Sequence, residues 1–152
     1  MGEIITHGSE IIGITGVVRI PPVDKADIRD YGIIERADMK FGSGLNIIAG
    51  GAGGGKTTVI KYLLERLNLK KLTRLEQIEF QIQQEMKPSC LLIDGLLSDL
   101  SEKSILKVLK ELENCGSQVI VTLHWHDLEY IRDKVKANII NLRDFDLTDY
   151  GR

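Results

Sequence analysis

The chain has 152 residues, 43% of them apolar and 28% charged, with a formal net charge of −2. That length predicts a single domain spanning residues 1–152 with one buried core, and the near-neutral balance gives no global basic field to draw nucleic acid or a membrane surface. No apolar run approaches the roughly 20 residues of a membrane span, and Gly2-Glu3 stands where a secretory leader would be basic, so a cytoplasmic protein is expected.

Residues 10–20 are rich in isoleucine, valine and glycine and read as strand, which Pro21-Pro22 ends. Residues 24–30 are polar and read as a turn or one short helix. Residues 31–41 alternate in part, as an edge or antiparallel strand does, and Gly42-Ser43-Gly44 marks a turn. These elements predict a small antiparallel layer over residues 1–41, ahead of a parallel α/β core.

Residues 44–49 read as a short buried strand and residues 59–67 as a helix. Between them stands Gly50-Gly51-Ala52-Gly53-Gly54-Gly55-Lys56-Thr57-Thr58, which matches the phosphate-binding pattern G-x-x-x-x-G-K-[ST]. Strand, glycine loop and helix are the arrangement this chemistry needs. Glycines admit positive φ, so successive N–H groups can point into one cavity. The helix adds its positive N-terminal end. Residues Gly51 to Thr58 are therefore the candidate nucleotide-binding set, with Lys56 reaching the β- and γ-phosphates and the Thr57 hydroxyl on Mg²⁺. A glycine-rich linker that happens to precede Lys-Thr does not account for both flanks. An NAD-type glycine turn does not close with Lys-Thr.

Beyond the loop, Leu72, Leu75, Ile78, Ile82 and Met86 recur at spacings of three and four, which predicts an amphipathic core helix over residues 72–86. Lys87-Pro88-Ser89 breaks it. Cys90-Leu91-Leu92-Ile93-Asp94 reads as a buried strand delivering a carboxylate to its C-terminal edge, the place for a Walker B aspartate on Mg²⁺. Ser101 is positioned to cap a helix over residues 102–113. Residues 118–123 form another buried strand, with His124-Trp125-His126-Asp127 at its C-terminal end, where ligand groups sit in open α/β sheets. A short helix over residues 128–136, a strand over 137–142 and an exposed tail over 144–152 complete the chain. Cys90 and Cys115 lack metal-ligand spacing and read as reduced core thiols.

Taken together, the pieces resemble the ABC-type ATPases, above all the branch that includes the SMC, RecF and double-strand-break repair ATPases. Residues Phe41-Gly42-Ser43-Gly44-Leu45-Asn46 look like that branch's lead-in to its P-loop, Leu91 to Asp94 like its Walker B strand, and Ser98-Asp99-Leu100-Ser101 falls where the family has its D-loop. Gln118 to His124 looks like the strand leading to the switch histidine, and Asn138 to Leu142 like the closing strand. The resemblance implies a P-loop NTPase-like three-layer fold with a mostly parallel sheet. It also implies ATP and Mg²⁺ as ligands, Lys56 and His124 as the catalytic pair, Thr57 and Asp94 on the metal, and a protein partner completing the site. His126-Asp127-Leu128 also resembles the family's H-D-L, so His126 competes with His124. Tyr31 lies where ABC transporters carry an adenine-stacking aromatic; the alternative is a packed strand tyrosine. Trp125 reads as packing or as a ligand contact beside the site.

The chain departs from the family in three places. Gly95 occupies the position of the water-activating glutamate, which predicts slow hydrolysis and leaves Asp99 as the candidate substitute. Leu72-Thr73-Arg74-Leu75-Glu76-Gln77 keeps the outer residues of the signature motif and loses both glycines. Too few residues separate Lys56 from Leu72 for a helical subdomain, and no glutamine matches the Q-loop. The reading is thus an ATP-binding, ABC/SMC-like module and possible hydrolase. Three alternatives remain: a non-hydrolytic nucleotide-binding switch, a small P-loop phosphotransferase, and a scaffold that keeps the loop for partner contacts. No arginine-rich lid segment stands out to serve a phosphotransferase.

Overall fold

The strand leading into the glycine loop, Leu45-Asn46-Ile47-Ile48-Ala49-Gly50, is buried at every position. A continuous buried run is what a central parallel strand with both faces covered requires. The computed structural model describes residues 17–51, 54–66, 90–95, 97 and 100–148. In chain order these form β1 (Val17–Ile20), β2 (Lys25–Tyr31), β3 (Ile34–Lys40), β4 (Leu45–Gly50), α1 (Lys56–Arg66) and β5 (Cys90–Ile93). Then come α2 (Glu102–Glu113), β6 (Gln118–His124), α3 (Trp125–Ile131), β7 (Asn138–Asn141), a 3-10 turn (Leu142–Asp144) and β8 (Asp146–Leu147). The helix expected over residues 72–86 lies outside the described residues, as do Ala52, Gly53, Arg74, Ser98 and Asp99. No helix of the described residues is long and apolar enough to cross a membrane.

The main sheet has the order β1-β5-β6-β4-β7. β4 pairs in parallel with β6 and β7, β5 pairs in parallel with β6, and β1 closes one edge antiparallel to β5. The register sets Gly50 beside His124, Ala49 beside Asn141, and Ile93 beside Val121. The C-terminal ends of the four parallel strands therefore share one edge. From β4 the chain crosses toward β5; from β6 it crosses back past β4 to β7. That reversal makes a crevice at the ends of β4 and β6, the usual place for a ligand in an open α/β sheet.

Alternate strand residues face opposite sides, and each side has its own cover. Ile48, Leu92, Ile120 and Ile140 pack against Val59, Ile60 and Leu63 of α1 and against a second, antiparallel sheet ordered β2-β3-β8. Ile47, Leu91, Ile93, Val119, Val121 and Leu123 pack against α2 and α3 through Ile105, Leu109, Leu112, Leu128 and Ile131. α1 and α3 thus cover opposite faces of the sheet. The result is an α/β fold of mixed sheets. Ser101 caps α2 as expected, its side chain accepting from Ser104 N at 3.2 Å.

Two buried amides anchor the segments that lead to β4. Gln118 accepts from Val23 N and donates to Val23 O and Gly42 O, at 2.8, 2.6 and 2.8 Å. Asn46 accepts from Gly42 N at 2.8 Å and donates to Gly44 O and Val119 O at 3.1 Å each. Both side chains satisfy backbone groups that would otherwise be buried unpaired.

Several elements differ from the sequence expectation. Residues 25–31 are a strand, not a turn or helix, because Ala26 and Ile28 are buried while Lys25, Asp27 and Arg29 are exposed. β1 joins the main sheet rather than the small layer. The tail folds back as β8, because Leu147 is buried beside β3. The last helix begins at Trp125 rather than Leu128, since His124 caps it and Asp127 favours its first turn. Cys90 is buried, as expected, but Cys115 is exposed in the turn after α2.

Candidate functional site

The glycine loop leaves β4 at Gly50 and folds onto itself. Gly54 N donates to Gly51 O at 2.9 Å, and a Cβ on Gly54 would stand 2.9 Å from both Gly51 N and Gly51 O. A side chain cannot enter there without moving backbone. Gly55 has φ +98°, a conformation open to glycine and strained for other residues. Its carbonyl accepts from Val59 N at 3.0 Å, so α1 begins at once with Lys56 as its first residue. No acidic side chain occupies the first turn of α1, so its N–H groups and dipole remain available to an anion.

Lys56 is half-buried, and its Nζ donates to Gly50 O at 3.1 Å. Partial burial pushes its ammonium below the usual lysine range, while Asp94 and Asp127 act to keep it charged. The carboxylates at the ends of the neighbouring elements thus act on the lysine of the loop. Thr57 is exposed in the first turn of α1. Thr58 turns the other way: a Cβ on Gly32 in the β2–β3 turn would stand 2.8 Å from Thr58 Cγ2. Of the two threonines, Thr57 is the more exposed.

Asp94 follows β5, as expected, and is half-buried. Its Oδ1 accepts from the Thr122 hydroxyl at 3.0 Å, and that hydroxyl accepts from Gly95 N at 3.2 Å. Thr122 is 4% exposed. Gly95 has φ +77°, and a Cβ there would meet no atom within 4 Å. A side chain at this position would therefore enter open space.

His124 sits at the end of β6 beside Gly50 and caps α3, its Nδ1 accepting from His126 N at 3.1 Å. Because Nδ1 accepts, the neutral ring carries its proton on Nε2. Burial, then the charges of Lys56, His126 and Arg143, hold His124 below the usual histidine range, with Asp127 opposing. His126 stacks against Trp125, ring centres 4.2 Å apart. Tyr31 is edge-on to Tyr62 at 5.3 Å, and a hydrogen bond to Glu65 pushes its hydroxyl up to about 12. Both partners belong to α1, so Tyr31 packs the small sheet onto that helix.

Lys56, Asp94 and His124 therefore come to one edge of the sheet. Asp127, part of the His124 to Asp127 stretch, joins them, as do Thr122 and Arg143, which the sequence did not single out. A polar residue inside the apolar run 118–123 was the available sign for Thr122. No group of three potential metal-ligating His, Cys, Asp or Glu side chains occurs among the described residues. Thr57 and Asp94 offer one hydroxyl and one carboxylate near the glycine loop, oxygen donors of the type that a hard cation takes alongside waters. A separate open depression on α2, lined by Lys103, Leu106, Lys107, Lys110, Glu111 and Asn114, shares no residue with this site. No family model, curated protein or solved structure matches the chain.

Proposed function

We propose that the chain is an ATP-binding module of the P-loop NTPase type, similar to the ABC/SMC/RecF ATPases, working with Mg²⁺ and slow at hydrolysis on its own. The observation that carries this reading is the closed glycine turn between β4 and α1, with Lys56 as the first helical residue and under the charge of Asp94. In this reading the loop N–H groups and the α1 N-terminus bind the phosphates. Lys56 exchanges the Gly50 carbonyl for a phosphate oxygen. The proton on His124 Nε2 points this ring toward service as a hydrogen-bond donor to the distal phosphate. Mg²⁺, when bound, supplies charge neutralisation across the distal phosphates, and Thr57 and Asp94 are the residues to hold it.

A second reading, a nucleotide-binding switch without turnover, is favoured by Gly95, which offers no side chain to orient water. One experiment addresses both: ATP–Mg²⁺ binding by calorimetry together with phosphate release, for wild type and Lys56→Ala. Binding that is lost in the variant supports the module. Phosphate release then separates hydrolase from switch. ATP affinity unchanged by Lys56→Ala would overturn the phosphate-loop assignment.

A further inference from the structure

Arg143 follows β7 in the 3-10 turn, at the same sheet edge as the glycine loop. Its backbone is held: Arg143 N donates to Asn141 Oδ1 at 3.0 Å. Its neighbour Leu142 is buried, and Leu142 Cδ1 lies 3.1 Å from where a Cβ on Gly50 would stand. Asn141 pairs in register with Ala49. The arginine stem therefore starts directly beside the point where β4 becomes the loop. Its head is held as well. The guanidinium carbon lies 4.0 Å over the centre of the Trp125 ring. Trp125 in turn abuts the loop: a Cβ on Gly51 would stand 3.2 Å from Trp125 Nε1.

Among the described residues, no carboxylate pairs with Arg143; the ion pairs found are Arg29–Asp27 and Arg132–Glu129. A guanidinium over an indole ring still has N–H groups to offer a second partner, and its planar fork suits two phosphate oxygens at once. Held at both ends, it loses less freedom on binding than an unrestrained surface arginine. Its charge reaches His124, one of the groups it helps to keep neutral. The cation thus acts on the same space as Lys56 and His124.

We propose that Arg143, clamped on Trp125, is a phosphate-binding arginine supplied in cis, which engages the terminal phosphate of a nucleoside triphosphate held by the glycine loop. This inference rests on the nucleotide-binding reading above and adds to it a preference for triphosphate over diphosphate. The site then carries a second cation from its own chain.

The test is a titration of the whole chain with ATP–Mg²⁺ and ADP–Mg²⁺, for wild type, Arg143→Gln, Arg143→Lys and Lys56→Ala. Trp125 is the chain's single tryptophan, so its emission reports on this site alone. Wild type should bind ATP more tightly than ADP, and ATP should change the Trp125 emission as phosphate charge reaches the guanidinium held over the ring. Arg143→Gln should weaken ATP binding about 10- to 100-fold, the range of a charged hydrogen bond. It should leave ADP nearly unaffected and erase the ATP-specific emission change. Arg143→Lys, which keeps charge and loses the fork, should fall between. Arg143 is exposed, so melting of Arg143→Gln should match wild type. If wild type binds both nucleotides and Arg143→Gln keeps the same ATP-to-ADP ratio, the Arg143 assignment falls while the nucleotide reading stands. If wild type binds neither nucleotide, both fall.

Discussion

The hydroxyl of Thr122 on β6 donates to Oδ1 of Asp94 after β5 at 3.0 Å, across the strand ends that flank the crevice. The bond engages one carboxylate oxygen and restrains the side chain; in the proposed reading Oδ2 is then the oxygen for a cation. Thr122→Val keeps the shape and removes the hydroxyl, so Asp94 Oδ1 and Gly95 N both lose a partner. Losing such bonds costs about 1 kcal/mol where one partner is half solvated, which lowers the melting midpoint of a domain this size by about 2–4 °C. Mg²⁺-dependent ATP affinity should drop as well. A variant that melts lower but binds ATP–Mg²⁺ as wild type does would show that Asp94 needs no help from Thr122.

A second expectation concerns turnover. Phosphate release by the wild-type chain should exceed the protein-free background only slightly, because Gly95 presents no carboxylate. Gly95→Glu restores the acid but meets φ +77°. No atom lies within 4 Å of the new Cβ, so the cost is backbone strain alone, about 1–2 kcal/mol. Gly95→Asn should be milder, since asparagine tolerates that conformation. We expect Gly95→Glu to melt below Gly95→Asn and to release phosphate faster than wild type. Robust hydrolysis by wild type would point to another base and end this account.

The pH dependence of stability follows from His124. Its folded pKa lies below its unfolded value, so in the window beneath about 6.5 the unfolded chain binds the proton first. Stability contributed by the neutral ring is present above that window and is lost as pH falls through it. His124→Asn keeps an oxygen to cap α3 and removes the titration. Melting of the two proteins between pH 7.5 and 5.5 should show wild type losing ground to the variant as pH drops. Parallel curves would contradict the assigned neighbours Lys56, His126 and Arg143.

Much of this arrangement was legible in the sequence where the signal was local. The loop from Gly50 to Thr58, the apolar runs of β4, β5 and β6, and the Ser101-capped helix each announce themselves within a dozen residues. β2 was obscured because five charged residues surround Ala26 and Ile28, whose alternation is the real signal. β8 rests on one buried leucine, Leu147, whose burial depends on β3 far upstream. The partners Thr122–Asp94 and Arg143–Trp125 are made by strand order. No spacing along the chain encodes which ends meet, so those relationships appear only once β6 is known to lie between β4 and β5.

The last prediction concerns assembly. In the family that the chain resembles, a second subunit closes its signature motif over the γ-phosphate. The corresponding stretch here, residues 72–77, lacks both glycines that would let backbone approach phosphate. An ATP-sandwiched homodimer would need that approach to supply much of its binding energy. Arg143 in cis supplies a cation without a second chain, which removes part of the drive to dimerise. Mass measured by light scattering should therefore be the same with and without ATP–Mg²⁺, at concentrations well above the ATP dissociation constant. Arg143→Gln should not change that mass either, since the arginine serves its own chain. A clean ATP-dependent doubling of mass in wild type would show that residues 72–77 still work in trans, and would move the chain toward a competent SMC-like ATPase. Doubling that disappears in Arg143→Gln would instead place this arginine across the interface.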